Sequence, residues 1–544
     1  MAELTFATLT ILKEVYLLSR FIARTARSAS NSNTEREALQ KELEYEHLYI
    51  RSFGLLFFQS SGVLVPHQDL NREWLEKITW ILDGLRLAEG DYAKLAAERD
   101  VGYRRLSPFL NTPTEQRLIE FEAFDNKVRE VAGEDQDDAH QPDSSSSGIK
   151  NILPSMDWRW ALSEKKHLQR ILSNSREWTK KLKEMVQLTM AVNLPHSLST
   201  NPALQPLGRD RNARFLGLSG HARIRQTIEA PAIDVANLEI KDGTLELPTQ
   251  RTTLTPATLR TNADVVSVLV ETKPLPEVIS AEDEQKILHL AQILALSAGT
   301  DLSTLPLHGF LRLVDQNAYA FVFDFPLEAT DAPPVTLFDL IRRPHSITPG
   351  LSLKNRFKIA QSIAKSLVAL HADNWVHKSF RSRSIVFFHS QEGAMQDRPY
   401  LVNFEYSRST HSATNWTYDD DAELNLYRHP LRQRPPQKSF NQIHDLYALG
   451  VVLLEIGLWR AISSVKEQAQ AFLEPGTNLD PEILTEFYIS TASRDLPHTM
   501  GDSFAKAVVT CLKGDFGVSC DEPAFSLAVF DGVIQKLDAK LLLE

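Results

Sequence analysis

The chain has 544 residues, of which 43% are hydrophobic and 24% charged. Those shares exclude global disorder and collagen-like repeats, and the length is that of two to four domains. Lys and Arg total 59 against 70 Asp and Glu, a net charge of −11 that argues against a dedicated nucleic-acid binder. Only Cys511 and Cys520 occur, too few for a disulfide framework, and a reducing, cytoplasmic compartment is expected.

Residues 4–25 are the most apolar stretch near the start, but Lys13, Glu14 and Arg20 interrupt it. A membrane-spanning helix needs about 18 uninterrupted apolar residues. Leu4, Ala7, Ile11, Val15, Leu18 and Ile22 instead recur at three- and four-residue steps, the stripe of an amphipathic helix. Residues 1–27 carry four basic side chains against two acidic ones, so two readings stay open: a core helix of a bundle, or a helix lying on a membrane surface.

Further apolar faces follow around Leu39–Leu56, Trp74–Leu85, Tyr92–Ala97 and Gln116–Val131. Nothing alternates with period two for long, so residues 1–195 are expected to form an all-α helical bundle. Within it, 133–148 is acidic and Ser-rich and is expected to be a disordered loop. Helix resumes at about 156–192 with Trp158, Trp160, Leu168, Leu172, Trp178 and Leu182. Residues 196–262, rich in Pro, Thr, Asn and Arg with weak periodicity, read as a linker with room for a strand or two.

From 263 the pattern changes. Val265–Val270 is a β-branched run, 283–297 is helical, and Leu311–Val314 with Tyr319–Phe325 reads as a hairpin. Helical patterns then dominate at 352–371, 444–458, 464–474, 481–491, 502–512 and 523–541. Strands first and helices later predict an α+β domain over 263–544.

The helix at 352–371 runs into Leu370-His371-Ala372-Asp373-Asn374-Trp375-Val376-His377-Lys378-Ser379-Phe380-Arg381-Ser382-Arg383-Ser384-Ile385-Val386. That stretch resembles the protein-kinase catalytic loop. Tyr400-Leu401-Val402-Asn403-Phe404-Glu405 resembles the strand entering D-F-G, and Tyr427-Arg428-His429-Pro430-Leu431 stands where kinases carry Y-R-A-P-E. Asp445-Leu446-Tyr447-Ala448-Leu449-Gly450-Val451-Val452-Leu453-Leu454-Glu455 resembles the helix that anchors the kinase large lobe. The resemblance implies a bilobal protein-kinase-like fold, with a small lobe at about 263–330 and a large lobe at about 331–544.

The departures from that pattern carry the functional expectation. The catalytic Asp position holds Ser379, the metal-binding Asp is Asn403, and the second metal ligand is Ser384. A hydroxyl cannot accept a proton at neutral pH, and losing a positioned general base costs about 10²–10⁴ in rate. Neutral side chains leave Mg²⁺ without an anionic ligand. No G-x-G-x-x-G precedes Val265, and Leu431 replaces the glutamate of A-P-E. What remains of a nucleotide site is Lys273, with Glu284 or Glu282 as its helix partner, and Arg381 in place of the catalytic-loop Lys. A solvated strand-end lysine is the competing reading of Lys273. His377 is expected to tie the loop, and the Asp445 carboxylate to cap loop amides. The expectation is a pseudokinase rather than an enzyme, needing no cofactor and holding ATP weakly if at all.

The N-terminal half resembles the fungal HeLo-type helical domains. The residues that carry this are Glu14-Val15-Tyr16, Arg20-Phe21-Ile22, Leu48-Tyr49-Ile50-Arg51-Ser52-Phe53-Gly54, Ile81-Leu82-Asp83-Gly84-Leu85 and Trp158-Arg159-Trp160. Joined to a pseudokinase, such a bundle is similar in architecture to the mixed-lineage-kinase-domain-like executors. That resemblance implies signalling, with a bundle acting at membranes in fungal cell death or incompatibility. Expected partners are other signalling proteins, a membrane surface met through residues 1–27, and a second copy of the chain. Ser407, Thr410, Ser412, Thr414, Thr417 and Tyr418 lie in a stretch open to phosphorylation. Two alternatives remain: a non-enzymatic scaffold, or a cryptic ATP-dependent kinase in which one of Asp419–Asp421 replaces the missing base.

Overall fold

The computed structural model describes residues 2–28, 34–59, 70–110, 120–132, 158–194, 202–229, 235–275, 281–343, 351–392, 395–396, 398–404, 421–433, 440–474 and 479–538. The stretch 133–148 and the phosphorylatable positions from Ser407 to Tyr418 lie outside them, as do Glu405, Asp419 and Asp420. The chain divides into two compact units, Met1–Leu194 with Gln205–Ser219, and Pro195–Leu204 with Gly220–Glu544.

The first unit is helical: α1 (Ala2–Ser28), α2 (Thr34–Phe57), α3 (Arg72–Glu89), α4 (Ala93–Arg99), α5 (Val101–Leu110), α6 (Phe121–Ala132), α7 (Trp158–Gln187) and α8 (Thr189–Val192). Helices α9 (Leu204–Arg209) and α10 (Arg211–Phe215) complete it. Helix α1 is its centre. Leu12, Val15, Tyr16, Leu17, Leu18 and Ile22 are all buried, and so are Lys13 and Arg20, whereas Ala7 of the expected stripe is exposed. A helix apolar on most of its circumference belongs in a core. Its buried polar groups are provided for. Arg20 and Arg24 approach Asp100, and Tyr16 donates to Asp125, which also takes Arg51 at 2.7 Å. Burial lowers Lys13 to about 8, and its ammonium lies 5.2 Å from the centre of the Phe124 ring. No single helix among the described residues is long and apolar enough to cross a membrane.

The second unit is α+β. After α11 (Leu218–Glu229) come β1 (Gly243–Glu246), β2 (Thr255–Thr261), β3 (Val265–Pro274), α12 (Ala281–Ser297), β4 (Leu307–Leu313) and β5 (Ala318–Phe323). The five strands form one antiparallel sheet of order β1-β2-β3-β5-β4. Among the described residues of 196–262, expected as a linker with room for a strand or two, there are three short helices and two strands of this sheet. Alternation sorts the faces. Val268, Val270, Ala320 and Val322 join Leu259 and Leu311 in one apolar cluster, which leaves Leu269, Glu271 and Lys273 on the other face of β3.

Next come β6 (Val335–Thr336), α13 (Leu337–Arg342), α14 (Leu353–Ala372), β7 (Ile385–Phe387) and β8 (Tyr400–Leu401), the strands making a small antiparallel sheet of order β6-β7-β8. Helices α15 (Gln442–Leu458), α16 (Ile462–Ala471), α17 (Pro481–Lys513) and α18 (Ala524–Val529) follow. Element α17 is two helices that meet at a kink at Gly501, where φ is 81°, in keeping with the separate patterns at 481–491 and 502–512. Helix α15 is buried on nearly every side, and a Cβ at its Gly450 would stand 2.9 Å from the Cβ of Cys511 on α17.

Candidate functional site

Lys273 lies near the end of β3 with its side chain 8% exposed. It is no solvated strand-end lysine. Its Nζ meets Glu271 Oε1 at 2.5 Å and donates to the carbonyl of Phe404 at 2.5 Å. Period-two geometry puts Glu271 and Lys273 on one face of the strand, so the pair is local to β3. The second oxygen of Glu271 accepts the backbone N–H of Asn403 at 2.9 Å. One carboxylate thus joins the lysine to the segment after β8.

The expected partner of that lysine is elsewhere. Glu284, on the first turns of α12, takes the Tyr319 hydroxyl at 2.5 Å and lies 3.5 Å from Arg312. The expected Lys273–Glu284 pair is corrected to Lys273–Glu271. The Glu282 side chain lies outside the described residues.

Asn403 has φ of 62°, a left-handed conformation that Asn tolerates better than most residues. Its amide donates to Ser379 Oγ at 3.4 Å, so these two neutral side chains face each other. The Ser384 hydroxyl is used within its own turn, accepting from Arg381 N at 3.0 Å and donating to Arg381 O at 2.8 Å. Val402 N donates to Ser384 O at 2.9 Å and fixes β8 beside that turn.

Asp445, in the first turn of α15, holds the loop from beneath. Its oxygens accept the N–H groups of His377 at 2.6 Å and Lys378 at 3.0 Å, and His371 Nε2 lies at 3.2 Å. Such carboxylate–amide bonds are the stronger kind. They hold Lys378 at φ of 66°. The His377 ring is fully buried against Phe404, with centroids 4.4 Å apart, and Phe404 stacks on Trp375 at 4.6 Å. Burial pushes His377 down to about 4, outweighing the opposing charge of Asp445, so the imidazole is neutral at pH 7.

A second polar network fixes the far side of the loop. The Tyr427 hydroxyl meets Ser382 Oγ at 2.9 Å and donates to Glu455 at 3.0 Å, and Glu455 also accepts from Ile462 N at 2.8 Å. Burial raises Glu455 to about 7, only partly offset by these hydrogen bonds.

Sequence reasoning missed Glu271 and the Ser382–Tyr427–Glu455 chain. The signal for Glu271 was present, as it precedes Lys273 by two residues in a strand. The signal for the other was not, because it joins residues 45 and 28 apart.

The site is an ion-paired lysine, two facing neutral side chains and a loop clamped by one buried aspartate. Residues 324–543 match the family model described as a domain of unknown function (DUF7580). The matched stretch begins just after β5. It takes in Ser379, Asn403 and Asp445 and leaves out Glu271, Lys273 and Glu284. No curated protein matches the chain.

Proposed function

We propose that the second unit is a degenerate, protein-kinase-like signalling domain without phosphotransfer activity. The observation that carries this is the engagement of Lys273. A lysine that holds nucleotide phosphates must present its charge to them. Here the ammonium is already held by Glu271 and by the Phe404 carbonyl. A nucleotide would have to break a buried ion pair and leave Glu271 facing its phosphates. Asn403 and Ser379 supply no carboxylate for a metal ion or a proton. Two features support the kinase-like reading of the fold: the sheet order β1-β2-β3-β5-β4 with a helix between β3 and β4, and the clamp of Asp445 on the loop at 377–378.

In this reading the N-terminal bundle is the effector, acting at membranes as the HeLo likeness suggests. With α1 at the bundle centre, membrane contact through residues 1–27 requires the bundle to open. Each large apolar side chain uncovered costs about 1.5–3 kcal/mol. The unit is thus a restrained element, and the second unit is a protein-binding domain that governs it.

The test is transfer of radiolabel from ATP by the full-length chain, with Mg²⁺ or Mn²⁺ and several protein acceptors. The expected result is no incorporation above that of a Lys273→Ala variant. Incorporation that Lys273→Ala abolishes overturns the reading in favour of a cryptic kinase.

A further inference from the structure

Helix α11 is where the chain crosses between the units, since Ser219 belongs to the first and Gly220 to the second. Within the second unit it is fastened on two sides. On one side, His221 Nε2 lies 2.7 Å from Asp301, in the turn between α12 and β4. The His289 ring of α12 donates from Nε2 to the carbonyl of Thr227 at 2.8 Å. Gly220 sits close to the same turn, because a Cβ there would stand 2.7 Å from the Thr300 methyl. On the other side, His221 Nδ1 lies 2.7 Å from Asp373, which caps the end of α14. Glu229 accepts from Asn374 Nδ2 at 3.4 Å and from Arg225 Nε at 3.0 Å. Both ring nitrogens of His221 meet a carboxylate at once, so the ring carries two N–H groups and a positive charge. His221 and Asp373 are both buried, so parting them leaves buried charges without compensation.

The turn that α11 fastens leads to the lysine. Asn374 takes the left-handed conformation that ends α14, with φ of 64°, and the fully buried Trp375 follows. Trp375 stacks on Phe404, and the Phe404 carbonyl accepts from Lys273. We propose that α11 is a clasp. Seated by His221, it fixes the 373–375 turn, and through Trp375 and Phe404 it keeps Lys273 shut in. Withdrawal of α11 frees the turn, loosens Phe404 and uncovers the lysine. A buried ion pair suits such a device, because packed and paired elements switch between discrete arrangements rather than yield by degrees. The chain runs from residues 205–219 into α11, so a movement of that segment reaches Lys273 by this route. The clasp rests on the proposed function in one respect, that Lys273 is held rather than free.

The experiment follows acylation of Lys273 by N-hydroxysuccinimide acetate in the full-length protein, read by peptide mass spectrometry against the exposed Lys354. In the parent, Lys273 is expected to react far more slowly than Lys354. His221→Gln should raise the Lys273 rate at least about fivefold, the lower end of the usual coupling between linked sites, and leave the Lys354 rate unchanged. Val508→Ala opens a cavity at a buried position of α17, outside the clasp, and lowers stability. It should leave the Lys273 rate at the parent's value, which separates the clasp from a general loosening. If His221→Gln has lost its folding transition, Asp301→Asn replaces it. That side chain is 38% exposed, so its change is milder, and a rise in the Lys273 rate is again expected. An unchanged Lys273 rate in the clasp variant, or an equal rise in Val508→Ala, overturns the proposal. A parent in which Lys273 reacts as fast as Lys354 overturns instead the reading of a held lysine, and the clasp with it.

Discussion

Glu271 decides what Lys273 can do. Both side chains are buried, so each needs the other, and breaking such a pair costs about 3–5 kcal/mol. Glu271→Ala should therefore lower the Tm of the full-length protein. It should also leave an uncompensated ammonium that an added triphosphate can neutralise. The expected outcome is a Tm that rises with Mg·ATP in the variant and not in the parent, read by thermal denaturation. An equal rise in both contradicts the account.

His221 is a second residue whose partners fix its state. Its Nδ1 lies 2.7 Å from Asp373 and its Nε2 2.7 Å from Asp301. A neutral imidazole has one N–H and would leave one carboxylate facing a lone pair, so the ring is doubly protonated. Burial alone would push it down, but the two carboxylates, Asp373 foremost, hold it well above its ordinary value of 6.5. Burial pushes Asp373 up, whereas for Asp301 the bond and charge of His221 overcome burial and hold the carboxyl down. A raised imidazolium stabilises the fold fully below pH 6.5, and that contribution is lost as pH rises through the folded value. The depressed Asp301 contributes above its unfolded value and is lost as pH falls through the folded one. His221→Gln should thus cost about 3–5 kcal/mol at pH 6. The gap to the parent should be full below pH 6.5 and shrink only as pH rises through the raised folded value. Denaturant titrations across that range check this, and a gap that closes between pH 6 and 7 contradicts it.

At the scale of elements, close contacts at glycine set how the helices of the first unit fit. A Cβ at Gly84 of α3 would stand 2.4 Å from the Trp178 ring of α7, and one at Gly54 of α2 would stand 2.5 Å from the Phe121 ring. Overpacking of this kind costs about 1–3 kcal/mol, so Gly84→Ala and Gly54→Ala should each lower the Tm. An unchanged Tm would mean that the rings move aside freely. Helices and the β4–β5 hairpin were legible because their apolar periods run long, as from Leu353 to Ala372. The first two strands were not. Gly243–Glu246 is only four residues long, and Thr255–Thr261 carries Pro256 and more Thr than aliphatic residues. Their place in the sheet comes from pairing with β3, which local pattern does not contain. Helix α1 follows the first of its two readings, a core helix of the bundle. Its stripe was real, but the side chains between the stripe positions are buried too, because helices pack around it.

At the scale of the whole molecule, motif spacing singled out Ser379, Asn403, Ser384 and Lys273, and the folded chain sets Asn403 against Ser379 and buries Lys273 beside Phe404. The salt bridge that occupies Lys273 is local to β3, whereas the bonds that tie this pair to the segment after β8, at Phe404 O and Asn403 N, are displayed only by the folded chain. If the bundle is a restrained effector, the native full-length protein should leave anionic vesicles intact. Loosening its packing with Gly84→Ala should then increase dye release. A lowered Tm without added release contradicts restraint by burial of α1.

The most direct measurement is calorimetric titration of the full-length chain with Mg·ATP, with Glu271→Ala alongside. The account predicts no saturable binding by the parent below about 1 mM, where the binding free energy is only about 4 kcal/mol. Saturable, Mg²⁺-dependent binding by the parent at about 1 μM would contradict it, because Lys273 would then be free to hold phosphates in spite of Glu271.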